Sequence, residues 1–367
     1  MRSSDGHHWI ALDHIRAVAA LMVLSWHFVH GSSGFPVPFH NPPAFFPLAI
    51  FDEGHTGVSL FMALSGYLFA KLLDGKSVNY VAFYWNRFLR LAPLLLIALA
   101  LAGLDHSVRG DLSLAAYSKS LLEGIIKPTL PNGAWSITVE AHFYLLLPLI
   151  LAASRRWAGA PIALLLALLA VRACLFTYLG GIQELAYFTI VGRADQFVLG
   201  ILAFQHRDRF RDRHLVIAAL MLAFGAFYYW FDQIGGFYKL DGAYPSPSPL
   251  WIILPTIEGM VYASLIAYYD HSFRPAITGI SGFIGKAGVY SYSIYLLHVF
   301  VVFRAAKFVH THVLSLSNFY VAFAASLACY GLMMGIGWAS YRFIEAPFLR
   351  YRKQYTLPGE ARGVQQA

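Results

Sequence analysis

Stretches of about twenty apolar residues recur along the whole chain and constrain its fold more than any other feature. Such a stretch is long enough to cross the hydrocarbon core of a bilayer as a helix. Hydrophobic residues make up 58% of the 367 residues and charged residues only 13%, against about 25% charged in soluble globular proteins. The sequence therefore predicts an all-α integral membrane protein, a polytopic bundle of about ten transmembrane helices. The predicted spans are 10–29, 55–73, 86–104, 134–153, 161–179, 191–205, 214–231, 249–269, 289–309 and 319–342.

Positive charge is distributed unevenly between the two sides of these spans. Most of the 27 Lys and Arg residues fall in loops on the side of the N-terminus, which the positive-inside rule places in the cytoplasm. Both termini are therefore predicted to be cytoplasmic, in a multi-pass protein of the cell (inner or plasma) membrane. Because the cations lie in short loops rather than on one polar segment, the net charge of +8 does not indicate a nucleic-acid partner.

The polar segments between the spans are too short for a soluble domain of ordinary size. We predict one transmembrane domain over residues 1–353 and a short polar cytoplasmic tail over residues 354–367. Asp13 and Arg16 interrupt the first apolar window, which is therefore interpreted as a retained span and not as a cleaved signal peptide. Cys174 and Cys329 both lie within apolar windows, so neither a disulfide framework nor a metal site is predicted.

Arg16 and His27 stand in the first span with ten residues between them. At roughly 100° per residue, the two side chains return to within about 20° of each other on one helix face, about 16 Å apart along the axis. Imidazole changes protonation near neutral pH and can act as a base. The alternatives are a histidine that bonds a neighbouring helix and an arginine that pairs with Asp13 at i,i+3.

The segment FYWNRFLRLAP carries Arg87 and Arg90 three residues apart, just before the third span. Two guanidinium groups that converge at a membrane face suit a phosphate, because their paired donors match its oxygens. For an isolated RxxR motif, anchoring by the positive-inside rule is the simpler explanation.

Further polar side chains interrupt later spans, where such groups are costly and are usually functional or paired. Glu140 lies in WSITVEAHFYLLLP and needs a cationic or hydrogen-bonding partner; it either orients an imidazole or joins two helices. In YSYSIYLLH, Tyr292, Tyr295 and His298 follow at i,i+3 steps, a stripe interpreted as helix packing. In YRFIEAP, Glu345 is three residues after an arginine, which predicts a local ion pair with Arg342.

These segments, taken in order, resemble the membrane-bound acyltransferase 3 family. The resemblance covers the Arg-x10-His pattern of the first span, LFMALSGYLF with its Ser-Gly pair, the RxxR motif, WSITVE, YSIYLLH and YRFIEAP. Each motif alone is weak, but six of them in the same order are specific.

The resemblance implies an O-acyltransferase that moves an acyl group, commonly acetyl from cytoplasmic acetyl-CoA, to a hydroxyl of a surface glycan, a lipid-linked sugar or a small metabolite. It implies His27 as the catalytic histidine, with Arg16, Arg87 and Arg90 handling acyl-CoA. Some family members carry a periplasmic SGNH-type domain after the last span. In this chain, handing the acyl group to such a partner would require a separate protein.

Two mechanisms and two other classes of protein remain open at this point. Neutral His27 removes the proton of the acceptor hydroxyl, with Glu140 as its orienting partner, or it forms a covalent acyl-histidine intermediate. Intramembrane Arg, Glu and His residues also occur in secondary transporters. If the chain were such a transporter, we would expect internal repeats, and this sequence shows none. In a scaffold protein without chemistry, the same residues would only join helices. No Walker, GxGxxG or HExxH motif indicates nucleotide or zinc chemistry.

Overall fold

The computed structural model describes residues 9–31, 37 and 42–358, and these residues form a bundle of helices. Within them, nine helices are long and apolar enough to cross a membrane. In chain order the α-helices are α1 (Ile10–His30), α2 (Ala49–Asp52), α3 (Gly57–Leu73), α4 (Tyr80–Arg109), α5 (Leu114–Glu123), α6 (Trp135–Arg156), α7 (Ala160–Leu179), α8 (Gln183–Phe188), α9 (Ile190–Gln205), α10 (His214–Gln233), α11 (Gly236–Lys239), α12 (Leu250–Ser272), α13 (Gly279–Val289), α14 (Ser291–His312), α15 (Phe319–Ser340) and α16 (Ala346–Leu349).

Short elements connect these helices. Strand β1 (Lys76–Val78) pairs antiparallel with strand β2 (Thr356–Pro358), and the segment Tyr341–Glu345 between α15 and α16 is a π-helix. Turns of 3₁₀ helix occur at Phe46–Leu48, Gly54–Thr56, Arg207–Arg209 and Leu240–Gly242.

The predicted polytopic bundle is confirmed, and nine of the ten predicted windows correspond to the candidate spans. The remaining window, 191–205, is α9, which has 16 residues and is therefore about 24 Å long. That length falls short of the hydrocarbon thickness of about 30 Å. Helix α9 is an inner element of the bundle, and most of its side chains are buried.

Close contact between α3 and α9 depends on two glycines. A Cβ at Gly66 would lie 2.0 Å from the carbonyl oxygen of Phe197, and a Cβ at Gly200 would lie 2.1 Å from that of Ala63. Only glycine therefore fits at either position without moving the helices apart. The Ser-Gly pair at 65–66 thus contributes to helix packing through its glycine.

Buried ion pairs fasten α7, α9 and α12 to one another. Arg172 of α7 contacts Asp195 of α9 at 2.7 Å, and both side chains are 0% exposed. Arg193 of α9 lies 3.3 Å from Glu258 of α12. The sequence-based topology counted Arg193 among the outer-loop cations. The structure corrects this, because Arg193 belongs to α9 and its side chain is buried where α9 packs against α12. These pairs join helices, as charged groups in an apolar environment must be paired.

The chain termini are only partly described. Residues 1–8 and 359–367 lie outside the described residues, and with them most of the predicted polar tail 354–367. The part of that tail that the structure describes ends in β2.

Candidate active site

Helix α1 carries Arg16 and His27 in one uninterrupted run of 21 residues, so the predicted shared helix face is present. Arg16 forms an ion pair with Asp13, which confirms the i,i+3 pairing considered from the sequence. Asp13 is nearly fully buried, whereas the Arg16 side chain is 23% exposed. The guanidinium group is therefore accessible from one side while its charge is balanced from the other.

The imidazole of His27 has a defined orientation. Its Nδ1 lies 2.8 Å from the backbone carbonyl oxygen of Val23, one helical turn earlier. Because a carbonyl oxygen only accepts hydrogen bonds, Nδ1 carries the proton and the lone pair of the neutral ring is on Nε2. The described residues place no hydrogen-bond donor on this Nε2. The ring can therefore accept a proton there.

His298 of α14 is the side-chain partner of His27. Its Nδ1 is bonded to the carbonyl oxygen of Tyr295, so the Nε2 of the neutral ring is an acceptor. This Nε2 lies 3.2 Å from Nδ1 of His27, and the ring centroids are 4.8 Å apart. His298 thus accepts a hydrogen bond from the nitrogen of His27 opposite the one that would take up a proton.

A cavity of about 180 Å³, with α1 and α14 in its wall, lies beside the part of α1 that carries Arg16. It brings together the predicted residues Arg16, Arg87, Arg90 and Glu140, and it adds Arg352. The rest of the wall is mostly apolar or aromatic. His27 is not among the residues that line the cavity.

Arg87 enters the cavity between aromatic rings. Its guanidinium carbon lies 5.2 Å from the ring centre of Phe69, 5.6 Å from that of Phe83 and 6.0 Å from that of Tyr144. Ring faces attract a cation and hold it without neutralising its charge. These rings hold the guanidinium group of Arg87 beside the cavity.

Arg90 is paired with Glu345, which is 1% exposed and also accepts a hydrogen bond from Ser293. The predicted pair between Arg342 and Glu345 is wrong. The π-helical turn at Tyr341–Glu345 has more residues per turn than an α-helix, so side chains three apart no longer align. Glu345 therefore turns inward to α4, while Arg342 lies over the ring of Trp338.

Glu140 lines the cavity but does not orient His27. Its Oε1 accepts hydrogen bonds from Ser65 at 3.3 Å and from the hydroxyl of Tyr144. His298 takes the place next to His27 that the sequence-based hypothesis gave to Glu140. The bond from Ser65 joins α3 to α6, which is the helix-joining alternative considered from the sequence; a catalytic role of Glu140 stays a prediction.

Tyr295 joins the cavity to the histidine pair. It lines the cavity, and its ring centre lies 5.9 Å from that of His298. Ser136 donates to its hydroxyl at 2.7 Å, and this hydroxyl donates to the carbonyl oxygen of Gly133 at 3.1 Å. The stripe formed with Tyr292 was interpreted from the sequence as helix packing, and the hydroxyl of Tyr292 does donate to the carbonyl oxygen of Leu91 in α4; Tyr292 and Tyr295 also line the cavity.

A line of aromatic rings leads from His27 to the surface near α11. The ring of Trp26 meets His27 edge-on with centroids 4.7 Å apart, and Tyr238 stacks on Trp26 at 5.6 Å. Tyr244 lies 5.3 Å from Tyr238 and is 41% exposed. His27 thus lies at one end of a row of contacting aromatic rings, called the aromatic path below, which ends at an exposed tyrosine.

Comparison with known proteins gives a consistent result. The family model of the acyltransferase 3 type, described as an acyltransferase domain, matches residues 9–341. The exopolysaccharide production protein ExoZ of Rhizobium meliloti (strain 1021) is 27% identical over 314 residues, which cover 82% of this chain and 91% of ExoZ. No solved structure matches the chain. With motifs, helical bundle and family model in agreement, the chain belongs to the acyltransferase 3 family and is a multi-pass membrane acyltransferase.

Proposed function

We propose that this protein transfers an acyl group, acetyl in the simplest case, from cytoplasmic acyl-CoA to a hydroxyl group of a glycan on the opposite side of the membrane. The observation that carries the proposal is the position of Tyr295, which lines the arginine-lined cavity and whose ring centre lies 5.9 Å from that of His298, the partner of His27. The name of the similar ExoZ, an exopolysaccharide production protein, favours a glycan over the lipid-linked sugar or small metabolite that the family also suggests.

The chemistry of the cavity fits the donor. Acyl-CoA carries several phosphate charges at its nucleotide end and its thioester at the tip of a long uncharged arm. Arginine side chains bind phosphate through paired N–H donors, and Arg16, Arg87, Arg90 and Arg352 all line the cavity. The apolar and aromatic part of the wall suits the arm. In this arrangement the thioester approaches His27 past Tyr295.

The histidine pair supplies the base. The hydroxyl oxygen of the acceptor attacks the thioester carbonyl carbon while Nε2 of His27 takes the hydroxyl proton. His27 is then a cation, and its Nδ1–H donates to Val23 and to Nε2 of His298. When the carbon–sulfur bond breaks, the leaving thiolate receives the proton from Nε2. The products are the acyl ester and CoA, and His27 returns to its neutral form.

A covalent route uses the same nitrogen. Nε2 of His27 attacks the thioester carbonyl carbon, the carbon–sulfur bond breaks and CoA leaves as the thiolate, which gives an acyl-imidazolium because Nδ1 keeps its proton. The acceptor hydroxyl oxygen then attacks the acyl carbon, the bond from that carbon to Nε2 breaks, and the thiolate takes the hydroxyl proton. Incubation with acetyl-CoA labelled in the acetyl group, without acceptor, separates the routes. A labelled protein supports the covalent route, whereas an active preparation that stays unlabelled supports direct transfer.

The decisive test replaces the base. We expect His27→Ala to abolish acetyl transfer from labelled acetyl-CoA to a glycan extract, because no other described group presents an unpaired imidazole nitrogen at this position. In cells, the mass of the glycan should fall by one acetyl group. The matched control is His312→Ala, an exposed histidine on the same helix as His298, which should retain full activity.

Each possible failure has a different meaning. Transfer retained by a correctly inserted His27→Ala protein would refute the role of His27. An acetyl group found on a lipid or a small molecule, with unchanged glycans, would refute the proposed acceptor and leave the acyltransferase mechanism intact.

A further inference from the structure

The chain that follows α16 turns back across the beginning of α4 and is fastened there. The side chain of Asn86, 0% exposed, forms two hydrogen bonds with the backbone of Lys353: its Nδ2 donates to the carbonyl at 2.6 Å, and its Oδ1 accepts from the N–H at 2.9 Å. The indole of Trp85 donates to the carbonyl of Tyr351 at 3.2 Å. We call residues 351–358 the C-terminal strap.

The far end of the C-terminal strap is equally well held. The backbone N–H of Asn79 donates to the carbonyl of Tyr355 at 2.8 Å, and β2 then pairs with β1. Tyr355 is 1% exposed and packs edge-on against Phe83 with centroids 5.5 Å apart. Fixed on both sides, the strap holds the backbone of Arg352 in one position.

Arg352 is the cation that the strap delivers to the cavity, whereas its neighbours Arg350 and Lys353 are exposed. Burial, together with the positive charges of Arg87 and Arg90, lowers the pKa of Arg352 to about 10. Arg352 therefore stays cationic at neutral pH at an electrostatic cost. A phosphate bound among these side chains would offset the repulsion between the arginine charges, because its negative charge attracts each guanidinium group and its oxygens accept the paired N–H donors.

We propose that Arg352, positioned by the C-terminal strap, is a phosphate ligand of the acyl donor, so that the strap forms part of the donor site. This inference rests on the proposed use of acyl-CoA. The family model ends at residue 341, so this ligand lies beyond the part of the chain that defines the family match. Acyl-CoA offers two kinds of phosphate, the diphosphate and the 3′-phosphate, and the test distinguishes them.

The test compares Arg352→Gln with wild-type protein on three donors: acetyl-CoA, acetyl-dephospho-CoA, which lacks the 3′-phosphate, and acetyl-pantetheine, which lacks every phosphate. A lost hydrogen bond to a charged group raises KM for acetyl-CoA by roughly 10- to 100-fold, with kcat nearly unchanged. The rate with acetyl-pantetheine should not change. Arg350→Gln removes one exposed positive charge immediately before the strap and is the matched control, with wild-type KM expected.

The pattern over the donors identifies the phosphate. If Arg352 binds the 3′-phosphate, Arg352→Gln loses the preference for acetyl-CoA over acetyl-dephospho-CoA. If it binds the diphosphate, the variant is weakened equally on both. Arg352→Lys keeps the charge and should recover part of the affinity, which provides a second variant if the glutamine protein does not fold.

Two results would overturn the inference. One is an unchanged KM of Arg352→Gln for acetyl-CoA; the other is an equal loss with acetyl-pantetheine, which would indicate a structural role. Binding of CoA alone, measured as thermal stabilisation of the purified protein, separates this inference from the proposed function. If the wild-type protein does not bind CoA, acyl-CoA is not the donor and the role of Arg352 is refuted with it. Equal CoA binding by wild type and variant refutes the role of Arg352 alone.

Discussion

Replacement of His298 by leucine tests how the histidine pair works. In the proposed mechanism His298 does not carry the transferred proton; it accepts a hydrogen bond from Nδ1 of His27 at 3.2 Å. The same Nδ1–H also donates a hydrogen bond to the carbonyl oxygen of Val23, at 2.8 Å. His298→Leu therefore removes one of two acceptors and leaves the tautomer of His27 unchanged. Only the support for the protonated ring is lost.

The size of the effect follows from the change in charge during the reaction. A hydrogen bond contributes about 0.5–1.5 kcal/mol when both groups are neutral and about 1.5–3 kcal/mol when one is charged. Since only the difference between ground state and transition state affects kcat, the loss is about 1–1.5 kcal/mol. At about 1.4 kcal/mol for each factor of ten, kcat should fall roughly 5- to 12-fold.

The assay is steady-state acetyl transfer to a saturating glycan extract, with kcat and KM for acetyl-CoA measured separately. KM should stay close to wild type, because His298 is not among the residues that line the donor cavity. His298→Gln should recover most of kcat, since its amide oxygen can accept the bond. A wild-type kcat in His298→Leu, or a complete loss that glutamine does not rescue, would refute the reasoning.

Two further predictions concern helix packing and the acceptor path. Gly66→Ala should destabilise the protein by about 1–3 kcal/mol, because its Cβ would lie 2.0 Å from the carbonyl oxygen of Phe197. The control is Gly331→Ala, whose Cβ would have no neighbouring atom within 4 Å. Equal thermal unfolding temperatures of the two variants would contradict the packing argument. Tyr244→Ala should raise KM for the glycan and leave KM for acetyl-CoA unchanged, because this exposed ring ends the aromatic path. Trp230→Ala, which also removes an exposed ring, should change neither constant, and a wild-type KM for the glycan in Tyr244→Ala would remove that ring from the acceptor path.

The spans could be predicted from sequence because hydrophobic length alone determines whether a helix crosses a bilayer. The one predicted window that is not a candidate span, α9, differs from the others in its length of 16 residues, since α1 and α3 are also mostly buried and are candidate spans. The beginning of α4 was placed six residues late, at 86 instead of Tyr80. Asn79 caps this helix, and polar residues in its first turns hid the start from a hydropathy window.

The site was predictable where it depends on one helix and not where it depends on two. The spacing of Arg16 and His27, and that of Arg87 and Arg90, follows from helical geometry. The contact between His27 and His298 joins residues 271 positions apart, and only packing brings α1 and α14 together. Arg352 gave no signal in the sequence, since its exposed neighbours are also cations.

Tyr295 also bears on the permeability of the membrane. An enzyme that receives a donor from one side and an acceptor from the other opens the bilayer from both directions, and a continuous water path between them would let protons and ions leak. The hydroxyl of Tyr295 is held between Ser136 and Gly133, at the wall of the cavity that is proposed to bind the donor. In the proposed function, the bound arm of acyl-CoA takes the place of this barrier only while it fills the passage. Acyl transfer across the membrane is then compatible with maintaining an ion gradient.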